Sequence, residues 1–124
     1  MRKLSKKFFA FFSIISLLFG FSAAQAKVDG DTIILGAAVS LTGKYSTNGE
    51  HTKNGYELAV KRINDMGGVK VGGKNYKFKV TYYDDESNSK RAAQLAERLI
   101  KQDGVKYMLG PYSSGLTKAM APVT

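Results

Sequence analysis

The chain has 124 residues, of which 44% are hydrophobic and 23% are charged. This composition is typical of one globular domain and excludes collagen-like, low-complexity and disordered chains. The sequence holds no cysteine, so stability must come from a packed core without disulfides. The formal net charge of +9 includes four cations within the first seven residues, and the other lysines form no stripe with interleaved aromatic residues. Composition therefore gives no support to a nucleic-acid partner.

The first 26 residues have the three parts of a secretory signal peptide. A basic stretch ending at Lys7 precedes the apolar run 8–21, and small residues lead to an A-x-A cleavage site that ends at Ala26. The apolar run is shorter than the roughly 18 residues that a membrane anchor needs. We therefore expect cleavage after Ala26 and a mature chain, residues 27–124, that is free in the bacterial periplasm. No cysteine follows the cleavage site to carry a lipid anchor.

Three strands are expected in the mature chain. Residues 31–39 form a continuous apolar run with β-branched side chains, typical of a strand buried on both faces of a parallel sheet. Residues 74–84 alternate between apolar and polar side chains, which predicts an edge strand with one face open to water. Residues 105–109 are expected to form a short third strand.

Three helices are expected to follow these strands. The first is predicted over residues 50–66, with an apolar face made of Tyr56, Ala59, Val60 and Ile63. The second starts from N-cap candidates at 87–89, and the third begins after the loop 110–115. The order β-α-β-α-β-α predicts an α/β fold with a parallel, doubly wound sheet and right-handed crossovers.

This topology also predicts where a ligand binds. In a doubly wound sheet of order 2-1-3, the connections that leave strands 1 and 3 diverge to opposite faces and open a crevice at the carboxyl ends of those strands. The two loops bordering the crevice are residues 40–49 and 110–115, and both are rich in glycine and small polar residues. We therefore expect a binding site between them.

Hydroxyl groups stand on both of these loops. Ser113 and Ser114 lie where the third helix begins, and the free N–H groups and positive dipole end of a helix N-terminus favour an anion. The alternative is that one of these serines only caps its own helix. Thr42 in the other loop could offer its hydroxyl and backbone groups to the same crevice, or belong to an ordinary flexible loop.

The sequence gives no signal for catalysis, a metal or a cofactor. The acidic run 84–86 lacks the alternating ligand spacing of a calcium loop and is expected to cap a helix and face solvent. His51 is the single histidine, so it has no histidine partner for a metal site and is expected to be exposed. The loop 110–115 does not match the G-x-S-x-G spacing of a nucleophile elbow.

Four stretches follow the leader in a characteristic order: ILGAAVSLTG (34–43), NGYELAVKRINDMGG (54–68), YYDD (82–85) and VKYMLGPYSS (105–114). Together they resemble the substrate-binding proteins of bacterial ABC transporters for branched-chain amino acids, of the type I periplasmic binding family. The resemblance covers residues 31–124. It implies a fold of two lobes that close over a ligand, with residues 27–124 forming the N-terminal part of the first lobe, and hence an N-terminal fragment or truncated product.

The resemblance also implies roles for particular residues. Hydroxyl and backbone N–H groups of Tyr112, Ser113 and Ser114 would hold the α-carboxylate of the ligand, while Tyr45 and Asn48 would lie near its side chain. The carboxylate that binds the ammonium group is expected in the other lobe. Serine precedes the Leu-Thr-Gly motif where the family often has proline, and Asn48 stands where an aromatic residue is common. The ligand therefore stays open among amino acids, amides, urea and aromatic acids.

The function implied is non-catalytic capture of a small amino acid or amide and its delivery to the membrane permease of an ABC transporter, by a protein that is a monomer when complete. One alternative is a ligand-sensing receptor or regulatory module on the same fold. Another is a secreted flavodoxin-like or hydrolytic enzyme. Downstream sequence would separate them, because a second βα lobe favours the binder, a membrane span the receptor, and a later His and Asp the enzyme.

Overall fold

The computed structural model describes residues 26–124, so the predicted leader up to residue 25 lies outside the described residues. Strands and helices alternate along the described part of the chain. The strands are β1 (Val28–Asp29), β2 (Thr32–Val39), β3 (Val69–Val71), β4 (Lys74–Asp84) and β5 (Met108–Leu109). The helices are α1 (Ser46–Asp65), α2 (Ser89–Lys101) and α3 (Ser114–Met120), and a 3₁₀ turn (Ala121–Val123) follows.

Strand β2 is the centre of the sheet. It pairs in parallel with β4, from Thr32 opposite Lys77 to Val39 opposite Asp84, and its residues Gly36 and Ala37 also pair in parallel with β5. Because Gly36 and Ala37 each pair with β4 and also with β5, these two strands must lie on opposite edges of β2. The predicted order 2-1-3 is therefore confirmed. The short strands β1 and β3 add antiparallel pairs to β2 and β4.

The helices cover opposite faces of the sheet. The connection from β2 to β4 and the connection from β4 to β5 cross the sheet in opposite directions, and because both are right-handed their helices lie on opposite faces. Helices α2 and α3 pack together on the face that carries Ala38 and Ile34, and the residues buried there form the core. That core consists of Ile34, Ala38, Ala92, Leu95, Ala96, Leu99, Val105, Leu116 and Met120. Helix α1 lies on the other face, where the side-chain amide of Asn64 donates to the carbonyl of Phe78 and accepts from its N–H, both at 2.8 Å.

Strand β4 agrees with the edge-strand prediction over residues 77–84, whereas Lys74 to Tyr76 pair with β3, and from Val80 onward its residues are half-buried, so the predicted open face ends there. Its pairing with β3 covers Lys74 to Tyr76, so among the described residues the outer edge of 77–84 has no strand beside it. Lys77 and Lys79 are exposed, whereas Phe78, between them, is half-buried under α1. Lysines on an open edge hinder pairing with the strands of other molecules.

Three element predictions were wrong in detail. Helix α1 begins at Ser46, four residues earlier than expected, and Ala59 on its predicted apolar face is exposed. The third strand is limited to β5, because Val105 is fully buried below α2, where its N–H donates to the carbonyl of Leu99 at 2.9 Å. Tertiary packing decides these boundaries, and it overrides the local composition that suggested a longer loop and strand.

Candidate functional site

The candidate site lies where β2 and β5 end side by side. Residues 40–45, the first loop, lead from β2 into α1, and residues 110–113, the second loop, lead from β5 into α3. The two loops touch, because the rings of Tyr45 and Tyr112 lie with their centroids 6.1 Å apart and tilted by 56°. Topology thus brings together the two stretches in which the sequence placed its candidate residues.

The helices that leave this site have no side-chain caps. Tyr45 at the start of α1 and Ser113 at the start of α3 make no side-chain hydrogen bond to their own helix. Helix α2 differs, since the side chain of its N-cap Asn88 accepts from the N–H of Arg91 at 3.0 Å. The N–H groups in the first turns of α1 and α3 therefore have no side-chain partner from Tyr45 or Ser113, and in α1 the N–H of Ser46 donates to the backbone carbonyl of Gly43 at 3.1 Å.

The second loop presents three of the predicted ligand-binding residues. The Ser113 side chain makes no capping hydrogen bond to α3, while its backbone carbonyl accepts from the N–H of Thr117 at 2.9 Å. Ser114 is exposed as the first residue of α3, and the side chain of Tyr112 is 53% exposed. Hydroxyl and N–H donors thus meet the positive end of a helix dipole, an arrangement that suits a carboxylate.

Two neighbouring side chains set the electrostatic surroundings of Tyr45, which lies where the two loops meet. The Ser113 side chain, followed by the neighbouring Lys44, lowers the pKa of Tyr45 below its usual value. The ammonium of Lys44 lies 4.7 Å from the centre of the Tyr45 ring. Both neighbours stabilise the negatively charged form of the Tyr45 phenol.

Thr42 is placed differently from the expectation. Its hydroxyl donates to Oδ2 of Asp84 at 2.7 Å, and its N–H and that of Leu41 donate to Oδ1 at 3.2 and 2.9 Å. Partial burial acts to raise the pKa of Asp84, but these hydrogen bonds and one from the N–H of Glu86 outweigh it, so the pKa lies below its usual value. Because both its N–H and its hydroxyl donate to Asp84, Thr42 can act toward a ligand only as a hydrogen-bond acceptor.

The acidic run 84–86 also has a role that the sequence did not show. Asp85 was expected to face solvent but is fully buried, where it accepts from the hydroxyl of Ser40 at 2.6 Å. Glu86 is exposed as expected and pairs with Arg91. Oδ1 of Asp85 accepts from the Ser40 hydroxyl and the Ser87 N–H in place of water, whereas its Oδ2 has no hydrogen-bond partner among the described residues.

Two residues of α1 complete the surroundings of the site. Asn48 lies in the first turn of α1, half-buried, with its carbonyl accepting from the hydroxyl of Thr52 at 2.9 Å. The hydroxyl of Tyr56, about two turns further along than Asn48, donates to the carbonyl of Gly110 at 2.7 Å and so ties α1 to the second loop. Tyr56 was expected only to fill the apolar face, and burial raises its pKa.

Other kinds of site were searched for in the described part of the chain. Within residues 26–124, no three His, Cys, Asp or Glu side chains come together as metal ligands would. His51 is exposed, as expected. Over the same residues, no helix has both the length and the apolar character needed to cross a bilayer.

Known proteins share this sequence pattern. The sequence profile of the periplasmic binding protein family matches residues 32–124. The Leu/Ile/Val-binding protein homolog 1 of Brucella abortus (strain 2308) is 32% identical over 85 residues, which are 68% of this chain and 22% of that protein. The Leu/Ile/Val-binding protein of Escherichia coli (strain K12) is 29% identical over 103 residues, which are 83% of this chain and 26% of that protein.

Solved structures share the fold. The branched-chain amino acid transporter substrate-binding protein LivJ from Streptococcus pneumoniae, in complex with isoleucine, superposes with a TM-score of 0.66 at 32% identity, over 73% of this chain and 25% of that one. A solute-binding protein of an ABC transporter from Rhodopseudomonas palustris BisB5, in complex with 3,4-dihydroxybenzoic acid, gives a TM-score of 0.61 at 30% identity, over 74% of this chain and 24% of that one.

The chain therefore belongs to the periplasmic binding protein family, and its α/β fold is that of type I members, as the resemblance implied. The relatives that it matches include Leu/Ile/Val-binding proteins. The chain spans about a quarter of the length of these relatives, since it covers 22% to 26% of each. It corresponds to part of one domain.

Proposed function

We propose that this chain forms one wall of a cleft that captures a small amino acid or related amide outside the cytoplasm, for delivery to the permease of an ABC transporter. The observation that carries the proposal is that β2 and β5 end side by side, so that the two loops meet at the contact between Tyr45 and Tyr112. Membership of a family of binding proteins supports capture over catalysis.

The chemistry of the cleft favours a carboxylate as the group recognised on this side. Ser113 and Ser114 supply hydroxyl donors beside free N–H groups, and a hydrogen bond to a charged group contributes about 1.5 to 3 kcal/mol. The isoleucine and the 3,4-dihydroxybenzoic acid held by the two solved relatives share a carboxylate and differ in the rest of the molecule. A carboxylate site with a variable neighbouring wall accounts for both.

The variable wall is formed by Tyr45, Tyr112 and Asn48. The two rings offer apolar and π surface to the body of a ligand, and the Asn48 amide offers one donor group and one acceptor oxygen. This combination suits a ligand with a polar side chain, such as an amide, better than a purely aliphatic one. A binding group for the ammonium and the opposing lobe would come from outside residues 27–124.

Export is part of the same proposal. Cleavage after Ala26 would leave Lys27 as the first residue, and its carbonyl already accepts from the N–H of Ile34 at 2.9 Å. Strand β1 follows at once and pairs with β2. The residue expected to start the mature chain thus already takes part in the hydrogen bonding of the sheet.

Calorimetry on the full-length protein tests the ligand class. The probes are L-asparagine, L-isoleucine, 3,4-dihydroxybenzoate and urea, of which only urea lacks a carboxylate. We expect binding of at least one carboxylate probe and none of urea. Binding of urea alone, or of no probe, would count against the proposal.

A crossed pair of variants then tests the role of Ser114. Ser114→Ala is expected to weaken binding roughly 10- to 150-fold, which corresponds to one lost hydrogen bond to a charged group, with little change in melting temperature. Asn88→Ala removes the side-chain cap of α2 and is expected to lower stability by about 0.5 to 2 kcal/mol with affinity unchanged. If Ser114→Ala lowers only the melting temperature, Ser114 stabilises α3 and is not a ligand-binding residue.

A further inference from the structure

The first loop is held from the side by residues 84–87, the turn between β4 and α2. Asp84 accepts four hydrogen bonds, three of them from the first loop: the N–H of Leu41 at 2.9 Å, the N–H of Thr42 at 3.2 Å and the Thr42 hydroxyl at 2.7 Å. The fourth comes from the N–H of Glu86 at 2.9 Å. The carboxylate of Asp84 is therefore occupied by protein donors.

The two ends of the first loop are held by the next residues of the same turn. The Ser87 hydroxyl donates to the carbonyl of Thr42 at 2.7 Å and accepts from the N–H of Tyr45 at 3.0 Å. Fully buried Asp85 accepts from the hydroxyl of Ser40 at 2.6 Å and from the N–H of Ser87 at 2.8 Å. Contacts from this turn thus reach the loop from its first residue to its last.

The backbone of the turn is strained where it makes these contacts. Glu86 and Ser87 have φ angles of 54° and 59°, in the left-handed region that side chains other than glycine rarely adopt. The first loop fits closely against them, because a Cβ on Gly43 would lie 2.7 Å from the Ser87 hydroxyl and 2.8 Å from the Glu86 carbonyl. Such strain persists only where surrounding contacts hold it in place.

We propose that Asp84 is a positioning residue for ligand capture, which holds the first loop in its binding conformation without touching the ligand. The inference rests on the proposed function, because Tyr45 at the end of this loop is one wall of the proposed cleft. A loop that is ordered before the ligand binds loses little conformational entropy on binding. Its affinity for the ligand is therefore higher than that of a loop that must first become ordered.

Two substitutions of Asp84 separate positioning from direct contact. Asp84→Ala removes all four acceptor contacts. Asp84→Asn keeps an oxygen for the three N–H groups, and its amide can donate to the Thr42 hydroxyl, so it removes the charge and preserves the geometry. Asn88→Ala is the matched control, because the Asn88 side chain lies four residues away, bonds only within α2 and makes no hydrogen bond to the first loop.

Two measurements on the full-length protein are compared. Amide hydrogen exchange of Leu41 and Thr42 without ligand reports the order of the loop, and calorimetry reports the affinity for whichever of L-asparagine, L-isoleucine and 3,4-dihydroxybenzoate the wild type binds. Asp84→Ala is expected to raise both exchange rates and to weaken binding by at least about tenfold, Asp84→Asn to stay within about threefold of wild type, and Asn88→Ala to change neither.

The outcomes distinguish this inference from the proposed function. Wild-type exchange in Asp84→Ala would overturn the inference, and equal loss of affinity in the Ala and Asn variants would show that the charge of Asp84 acts on the ligand directly. If no probe binds to the wild type, the proposed function fails, and the exchange rates alone decide whether Asp84 orders the loop. Should Asp84→Ala not fold, Ser87→Ala removes two contacts from the same turn and is expected to raise the exchange rate at Tyr45.

Discussion

Replacing glycine by alanine is expected to have opposite effects on stability at two positions of α1. Gly49 lies in the first turn of the helix, where a Cβ would stand 1.8 Å from the carbonyl oxygen of Ser40 and 2.6 Å from its carbonyl carbon. Ordinary contact begins at 3.4 Å, so α1 and the end of β2 would have to separate by about 1.6 Å. Gly55, in the same helix, has nothing within 4 Å of such a Cβ.

The expected magnitudes follow from this difference. Gly49→Ala should lower stability by about 1 to 3 kcal/mol, as overpacking does, and weaken ligand binding because Ser40 begins the first loop. Gly55→Ala should raise stability by about 0.8 to 1 kcal/mol, the gain in helix propensity with no steric cost.

Urea titration and calorimetric melting of the full-length protein measure both variants under one set of conditions. Equal stability of the two alanine variants would refute the close approach of α1 to Ser40. A Gly49→Ala protein that is more stable than wild type would contradict this close approach even more strongly.

Further predictions concern the leader, the second loop and the response to acid. N-terminal sequencing of exported material is expected to begin at Lys27, and a membrane-bound form that retains the leader would contradict cleavage after Ala26. Tyr56→Phe removes the hydrogen bond to the Gly110 carbonyl and is expected to cost about 0.5 to 1.5 kcal/mol in urea titration, with faster amide exchange in the second loop. Because the pKa of Asp84 is lowered in the folded state, its contribution to stability is present above the unfolded value of about 3.9 and is lost as pH falls through the lower folded value. The stability difference between wild type and Asp84→Asn should therefore be larger at pH 7 than at about pH 3, and a difference that does not change with pH would contradict this assignment.

The strand order was predictable because it depends on patterns that a sequence displays directly. The continuous apolar run of β2 and the alternation along β4 set which strand is central and which is at the edge, and the helical spacing between them requires crossovers. Given that order, the position of the cleft follows from the topology alone. The contact between Tyr45 and Tyr112 is a consequence of the same arrangement.

The roles of the acidic run were not predictable, because they depend on contacts between residues that are more than 40 positions apart. Asp84 and Asp85 look like any polar turn in the sequence, and only the parallel register of β2 and β4 places them beside Leu41 and Ser40. The early start of α1 has a similar cause. Ser, Thr, Asn and Gly suggest a loop, but a glycine at position 49 is what allows the helix to begin against the backbone of Ser40.

Side-chain capping differs among the three helix N-termini at this edge of the sheet. Asn88, Ser113 and Tyr45 all occupy N-cap positions at the carboxyl edge of the sheet, yet only Asn88 uses its side chain to cap. A side-chain cap contributes about 0.5 to 2 kcal/mol, so α1 and α3 lack a contribution that α2 has, and in α1 the N–H of Ser46 donates to the backbone carbonyl of Gly43 instead. These two helices flank the crevice, and α2 does not. A carboxylate bound between them would satisfy the same N–H groups that a cap satisfies, so part of the stability missing from the empty protein would return as ligand affinity.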